Sequence, residues 1–425
     1  MQVIENLKVK EKAYIEKLEN GLTVIVIPKQ DTQKKYVIFG TNFGSIDNNF
    51  IVPGKTKPTK IPDGVAHFLE HKLFEQENGT NSLDVLSALG VDANAYTTND
   101  HTAYLFEATD NFYEALDELM NYVQNPYFTD ENVEKEKGII GQEINMYDDE
   151  PSWQVYMNAM KLMYKENPIN IDIAGTIESI SKINKEMLYD TYNTFYNLSN
   201  MLLVVCGDFV PEEILKEIKN RITKNDTQTE IKRIYPKEPE EIVKKEEIKI
   251  MEVNNPIFAI GFKDKLCPKE EMVKKHIAIE IILYMLLGKS SKTYKKLYEQ
   301  GDIMSQPDLD YEFSKQYAHV LISGTAKNPQ NVVKELKKAI EEYKKCGLNE
   351  EDFNRIKKKI YGDYITEYND VSNIARMFLA DYFKGINSFN YLEEYSQVSL
   401  QYANQILKDV FRENNMVVSI VKGEE

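Results

Sequence analysis

The chain has 425 residues, a length that predicts two or more domains. Apolar residues make up 42% and charged residues 28%, which is the composition of a globular protein. The 52 basic and 68 acidic residues leave a formal charge of −16. That balance argues against nucleic acid or an anionic membrane surface as a partner, because both bind to basic faces. No run of about 18 apolar residues is present that could cross a membrane.

The cysteine content and the first residues predict a cellular location. Cys206, Cys267 and Cys346 are odd in number and widely spaced, so neither a disulfide framework nor a cysteine zinc site is indicated. The opening residues MQVIENLKVK contain no apolar core of a signal peptide. We therefore predict a reducing location, the bacterial cytoplasm.

Strand and helix signals alternate along the first half of the chain. In chain order they predict strands at 22–28 and 36–43, a loop at 45–62, a helix at 64–75 capped by Asp63, a helix at 82–89, a hairpin over 94–108, helices at 111–123 and 130–146, and a buried strand at 201–206.

The second half repeats this order. Its signals predict a strand at 257–262, an apolar helix at 277–287, a hairpin ending in 318–324, and two long helices at 331–345 and 348–360. We predict an α+β fold with two homologous α/β-roll halves, each a mainly antiparallel sheet with helices packed on it. Residues 1–223 form the catalytic half, the charged segment 224–249 is a linker, and residues 250–425 form a similar, non-catalytic half.

The chemistry-bearing motif is His-Phe-Leu-Glu-His at residues 67–71. On a helix His67 and His71 share a face one turn apart, which lets both imidazoles bind a single zinc ion. Glu70 lies close to that face and can move a proton, so the pattern is the inverted HxxEH form of a zinc-peptidase helix. With five histidines in 425 residues, only about 0.01 matches to the pattern H-x-x-[DE]-H are expected by chance. The competing interpretation is a helix with two ordinary histidines, but its apolar flanks would leave those polar groups buried and unpaired.

A zinc site of this type needs a third protein ligand. The helix at 130–146 offers Glu136 and Glu143, which lie two turns apart on one face. Many other acidic residues could serve, and a solvated helix face is the alternative interpretation of this pair. Spacing alone does not choose the ligand.

HFLEH followed by a helix with E-x6-E resembles the insulinase (pitrilysin-type) metallopeptidase family, and this resemblance covers nearly the whole chain. It implies that Glu143 is the third zinc ligand and that Glu136 stands behind the site and assists catalysis. The 72 positions from His71 to Glu143 are a few fewer than is common in the family, which predicts a shortened loop. The length is similar to that of the short bacterial branch, and within it to proteins associated with elongation factor P modification.

The edge-strand signature of the family is matched by Asn94, Ala95, Tyr96 and Thr97. Taken alone, NAYT would predict only the start of a strand. The resemblance implies that this strand binds peptide substrate by adding it to the sheet, through main-chain hydrogen bonds. The function predicted is zinc-dependent endopeptidase cleavage of unfolded peptides in a clamshell chamber, with Glu70 as general base.

One departure from the family pattern predicts a partner. The opposing half of relatives supplies an Arg and a Tyr seven residues apart, whereas the comparable stretch LYEQGDIMS contains Tyr298 and Ser305. We therefore expect a paralogous family member, or a second copy in a homodimer, to complete the site. The alternative function is a non-peptidase partner or scaffold in a protein-modification pathway that retains zinc.

Of the remaining histidines, His101 is expected to be a solvated turn residue, and His276 and His319 to be structural.

Overall fold

The computed structural model describes residues 1–224 and 230–424; residues 225–229, within the predicted linker, and residue 425 lie outside the described part. The described residues form two compact units. The first contains Met1–Ile144, Asp172–Tyr235 and Ile365–Phe389. The second contains Asn145–Ile171, Pro236–Tyr364 and Asn390–Glu425.

The strands are, in chain order, β1 Gln2–Asn6, β2 Glu11–Lys17, β3 Thr23–Pro28, β4 Lys35–Thr41, β5 Asn49–Ile51, β6 Thr59–Lys60, β7 Asp92–Thr97, β8 Thr102–Ala108, β9 Met201–Gly207, β10 Lys232–Arg233, β11 Glu246–Ile250, β12 Ile257–Lys263, β13 Asp308–Phe313, β14 Ala318–Thr325 and β15 Met416–Lys422.

The α-helices are, in chain order, α1 Val65–Lys72, α2 Ser82–Ala88, α3 Phe112–Gln124, α4 Asp130–Asp148, α5 Pro151–Met163, α6 Ile177–Ser181, α7 Lys185–Phe195, α8 Pro211–Asn220, α9 Lys269–Leu287, α10 Lys292–Glu299, α11 Pro329–Cys346, α12 Glu350–Glu367, α13 Val371–Lys384, α14 Asn390–Gln397 and α15 Leu400–Val410. None of these described helices is long and apolar enough to span a membrane.

The main sheet of the first unit has the strand order β1-β2-β3-β9-β4-β8-β7. Its neighbours pair antiparallel except for β3 and β9, which are parallel. The central strand β9 reads MLLVVCG and is buried throughout, as expected for a strand covered on both faces. A small sheet, β10-β5-β6, lies in the same unit.

The two faces of the main sheet carry different helices, because successive side chains of a strand point to opposite faces. Val37 and Phe39 of β4 join the core cluster to which α1, α3 and α7 contribute. Tyr36, Ile38 and Gly40 point to the other face, which α13 covers. A Cβ at Gly40 would lie 2.6 Å from Leu379 Cδ1 of α13, so this helix approaches the sheet closely.

The second unit is built on a sheet with the order β11-β15-β12-β14-β13, in which only the β11–β15 pairing is parallel among the described strands. Helix α5 packs on β12 and β15, and α9 packs against α14, α15 and β13. α9 is buried over most of its circumference, which accounts for its nearly continuous apolar sequence from Ile277 to Leu287.

The predicted fold class is confirmed: the chain is α+β, with two homologous halves of sheets and helices. The division into 1–223, 224–249 and 250–425 stays a prediction, and the compact units are discontinuous along the chain. α5 precedes residue 223 but belongs to the second unit, and α13 follows residue 250 but belongs to the first. Each helix buries its apolar face on a sheet formed mostly by the other half of the sequence, which hydrophobic periodicity cannot reveal.

Candidate metal centre

Helix α1 carries the HFLEH motif and begins at a glycine. Gly64 has φ = 94°, and a Cβ there would lie 2.4 Å from the carbonyl oxygen of Ala174, so only glycine fits. The prediction that Asp63 caps the helix is wrong. Gly64 is the N-cap, and Asp63 Oδ1 instead accepts a hydrogen bond from Asn48 Nδ2, 3.0 Å away.

Helix α4 brings the two glutamates to α1. Its buried residues include Val133, Glu136, Ile140 and Ile144, which recur at helical spacing and form the face packed on the unit. Glu136 is only 5% exposed within that face. Glu143, seven residues later, follows on the same side of the helix.

His67, His71 and Glu143 converge. Their ligand atoms all lie within 4.8 Å of one another. Glu143 Oε1 is 3.6 Å from His67 Nε2, and Oε2 is 3.5 Å from His71 Nε2. Tetrahedral zinc with N and O ligands at about 2.0–2.2 Å separates neighbouring donor atoms by about 3.3–3.5 Å. The two distances from Glu143 to the imidazoles are close to this separation, so the three side chains could hold a zinc ion.

His71 is oriented from behind by Glu136. Its Nδ1 lies 3.0 Å from Glu136 Oε1, so Nδ1–H donates to the carboxylate and Nε2 keeps its lone pair for a metal. The other oxygen, Oε2, lies 3.3 Å from Lys72 Nζ, which also donates to Glu75 at 2.6 Å. Lys72 is completely buried. Sequence reasoning missed this lysine, because a lysine at the end of an apolar helix is normally solvated.

Electrostatic interactions favour the ionised forms of Glu136 and Glu143 by lowering their pKa values. The interaction with His67, whose Nε2 lies 3.6 Å from Glu143 Oε1, lowers the pKa of Glu143 below its usual value. Burial pushes the pKa of Glu136 up, but the contacts with His71 and Lys72 outweigh it and lower the pKa. Burial likewise acts to lower the pKa of His71, and Glu136 overcomes this and raises it. Because a metal ligand must give up its proton, a metal that bound at His71 would have to displace any proton on Nε2.

Glu70 lies on the same helix as the histidines and faces the edge strand. Thr97 Oγ1 of β7 donates a hydrogen bond to Glu70 Oε2, 2.6 Å away. This contact fixes one carboxylate oxygen and leaves the other for a further proton. The sequence predicted both residues, but not that they touch.

Strand β7 is the edge of the main sheet, with β8 as its partner. Ala95 packs against the core cluster that contains α1, and Thr97 contacts Glu70, so both point to the α1 face. Asn94 and Tyr96 point to the opposite face, where α13 lies. The four residues predicted to bind substrate thus lie at a sheet edge beside Glu70, but on two faces.

The remaining histidines lie elsewhere. The expectation of a solvated His101 is wrong: the residue is 6% exposed, and its Nδ1 pairs with Asp100 Oδ1 at 2.7 Å. In the second unit, His276 Nδ1 lies 2.9 Å from the hydroxyl of Tyr391, and His319 is fully buried.

This fold and donor set define an α+β protein of two homologous halves in which His67, His71 and Glu143 could hold a metal ion. Two family models match the sequence: that of the insulinase family (peptidase family M16) over residues 51–177, and that of the peptidase M16 inactive domain over residues 182–360. The chain belongs to the insulinase family, peptidase family M16.

Two relatives of known sequence are similar to this chain. The chain is 39% identical over 419 residues to a Bacillus subtilis (strain 168) protein named "Uncharacterized zinc protease YmfH", covering 98% of this chain and 97% of the relative. It is also 26% identical over 259 residues to the probable beta subunit of the mitochondrial-processing peptidase of Arabidopsis thaliana, covering 58% of this chain and 45% of the relative.

A solved structure matches the whole chain. The crystal structure of an M16-like protein from Alicyclobacillus acidocaldarius superposes with a TM-score of 0.93 at 33% identity, covering 99% of this chain and 100% of that one. A protease from Helicobacter pylori superposes with a TM-score of 0.84 at 18% identity, over 97% and 99% of the two chains, which shows a shared fold.

Proposed function

We propose that this protein is a zinc-dependent endopeptidase that cleaves unfolded peptides or oligopeptides. One observation carries the proposal: His67, His71 and Glu143 converge at zinc-ligand spacing, next to a carboxylate, Glu70, that contacts the edge strand. The zinc-protease names of the relatives support this choice of metal and reaction.

In this proposal each residue has one task. His67, His71 and Glu143 would hold a zinc ion, which would supply Lewis-acid activation of water and of the scissile carbonyl. Glu70 accepts a proton from the attacking water and passes it to the leaving nitrogen, while Thr97 holds the carboxylate in place. Glu136 orients His71, and the main chain of β7 binds the peptide as an added strand.

The first test separates the base from the ligands. Glu70→Gln is expected to keep the fold and the bound zinc while kcat falls by about 10²–10⁴, because a general acid–base contributes about that factor. Glu143→Gln is expected to lose zinc on dialysis, since it removes a ligand. Metal analysis and hydrolysis of a mixed peptide library measure both effects.

Glu166→Gln is the matched control, because Glu166 is an exposed glutamate of the second unit. It is expected to behave like the wild type. Hydrolysis that is undiminished in Glu70→Gln would remove Glu70 as the base. Chelator-resistant cleavage by the wild type would remove the metallopeptidase mechanism altogether.

We further propose that a paralogous chain, or a second copy in a homodimer, completes a closed chamber around the site. Two observations support this proposal. Tyr298 and Ser305 stand where the family pattern has an Arg and a Tyr. One relative is by name a subunit of a peptidase. Copurification followed by activity assays with and without the partner tests it. Full activity of an isolated monomer would contradict it, and a complex that binds zinc without cleaving any peptide would favour the scaffold alternative. The cytoplasmic location stays a prediction.

A further inference from the structure

An exposed arginine lies over the face of the main sheet that points away from the metal ligands. Arg376 is on α13, and its guanidinium carbon is 5.7 Å from the ring centroid of Tyr36 and 5.3 Å from that of Tyr96. It forms no ion pair with any carboxylate of the described residues. Two aromatic rings therefore hold a cation whose charge is not neutralised.

The strand register fixes where this cation lies. Tyr36 of β4 is in the cross-strand row that ends at Asp92, and Tyr96 is in the row that contains Gly40. The row between them is Ile38–Leu105–Asn94. Arg376 bridges the two tyrosines and so lies over this middle row, which ends at the short, exposed side chain of Asn94 on the edge strand.

A peptide added to β7 continues these rows. A residue opposite Asn94 would have its Cβ about 4.5–5.5 Å from the Cβ of Asn94, with its side chain on the same face. Successive residues of the peptide alternate between this face and the Glu70 face. One side chain in two is therefore directed toward the α13 face, where Arg376 lies.

The charges around Arg376 leave its cation available and limit the register. Glu107, in the row of Tyr36, is paired with Lys34 at 2.7 Å. Burial raises the pKa of Tyr96 to about 12, so its phenol stays neutral and does not cancel the guanidinium. Asp92 is exposed at the end of the neighbouring row and would repel an acidic side chain placed there.

We infer that Arg376, held between Tyr36 and Tyr96, forms a subsite that selects an acidic side chain of the peptide at the position opposite Asn94. The inference rests on the proposed function for the location of the peptide along β7. The overall charge of −16 would favour basic peptides. The Arg376 subsite would instead prefer an acidic side chain at one position of the peptide. A partly exposed charge pair of this kind is expected to strengthen binding about three- to tenfold.

Binding tests the inference separately from hydrolysis. The full-length zinc-loaded chain carrying Glu70→Gln, which slows turnover, is titrated against fluorescent peptides that differ only in Glu or Gln at each position in turn. We expect a three- to tenfold lower Kd for Glu at one position, weakening as salt is raised. In a background of Arg376→Glu the preference should reverse toward Lys, and in Arg376→Gln the Glu–Gln difference should vanish.

Arg355→Glu is the matched control, because Arg355 is an exposed arginine of the second unit. It should leave the preference unchanged. Equal Kd values for Glu and Gln at every position, or a preference that survives Arg376→Glu, would overturn the subsite. If the preference is found but the wild type cleaves no peptide, the peptidase proposal fails and the subsite stands. Cleavage without any preference removes the subsite and leaves the peptidase proposal standing, and a chain that binds none of the peptides contradicts both.

Discussion

Lys72 shows how a single buried charge organises the candidate metal centre. Its ammonium group, fully buried, lies between Glu75 and Glu136, and Glu136 in turn accepts the hydrogen bond of His71. Without this cation, two carboxylates near the ligands would lose their buried positive partner. Lys72 thus acts on the proposed ligand His71 through Glu136.

Lys72→Met keeps the length of the side chain and removes its charge. We expect the free energy of unfolding to fall by about 3–5 kcal/mol, because a buried charge pair is broken and Glu136 is left uncompensated. We also expect weaker zinc binding, measured by competition with a chelator. Lys182→Met, which removes an exposed lysine paired with Glu178, should cost less than about 1 kcal/mol. Equal losses in the two variants would show that burial of Lys72 is unimportant.

His319 gives the second unit a predicted sensitivity to acid. The side chain is fully buried, and its Nδ1 lies 3.0 Å from the hydroxyl of Tyr164. Burial lowers the pKa of His319 to about 4 from its usual value near 6.5. Between these two pH values the unfolded chain binds a proton that the folded chain does not, so stability is full above pH 6.5 and is lost as the pH falls toward 4.

This histidine should account for roughly 3 kcal/mol of lost stability over that range. Urea unfolding of the wild type and of His319→Gln at about pH 7 and about pH 4.5 measures the difference between them. Because the carboxylates titrate in both proteins, only the extra pH dependence of the wild type belongs to His319. Parallel stability curves would contradict the prediction.

At the scale of elements, α1 depends on a tight approach between its N-terminus and the loop before α6. Gly64 has φ = 94° and meets Ala174, while Gly175 has φ = 78° and a Cβ there would be 2.5 Å from the carbonyl oxygen of Asp63. Ser179 Oγ also donates to that carbonyl, at 2.8 Å. Two glycines facing each other therefore fix the point from which the HFLEH helix starts.

Gly64→Ala should destabilise the chain by more than about 2 kcal/mol and weaken zinc binding, since both the backbone conformation and the space exclude a Cβ. Gly79→Ala is the matched control: Gly79 has φ = 82°, but a Cβ there would meet nothing within 4 Å. It should show only the cost of the left-handed conformation, about 1 kcal/mol. Thermal unfolding and metal titration of both variants check this, and similar losses would show that the contact with Ala174 is unimportant.

At the scale of the whole molecule, each unit contains a helix from a distant part of the chain: α13 belongs to the first unit and α5 to the second. α13 buries Ile374, Phe378 and Leu379 in the first unit, and each such side chain contributes about 1.5–3 kcal/mol when buried. The first unit is therefore incomplete without a helix that lies far beyond its last strand in the sequence.

A fragment of residues 1–223 should not fold cooperatively, because it lacks α13 and carries α5 without its sheet. We expect it to bind a hydrophobic dye and to aggregate, whereas the full chain gives a sigmoidal unfolding curve. Co-expression with residues 365–389 should improve its solubility. A monomeric fragment with a cooperative transition would show that α13 is dispensable.

The sequence by itself determined the local features: the periodicity predicted α3, α4 and the β7–β8 hairpin close to their observed bounds, and the spacing of HFLEH put His67 and His71 on one helical face. These follow from neighbours along the chain, which a pattern records. Only the tertiary structure decided which distant groups meet. Four contacts join separate elements: Glu143 with both histidines, Lys72 with Glu136, Thr97 with Glu70, and Arg376 with Tyr36 and Tyr96. Such contacts depend on how sheets and helices pack, and no local pattern encodes that packing.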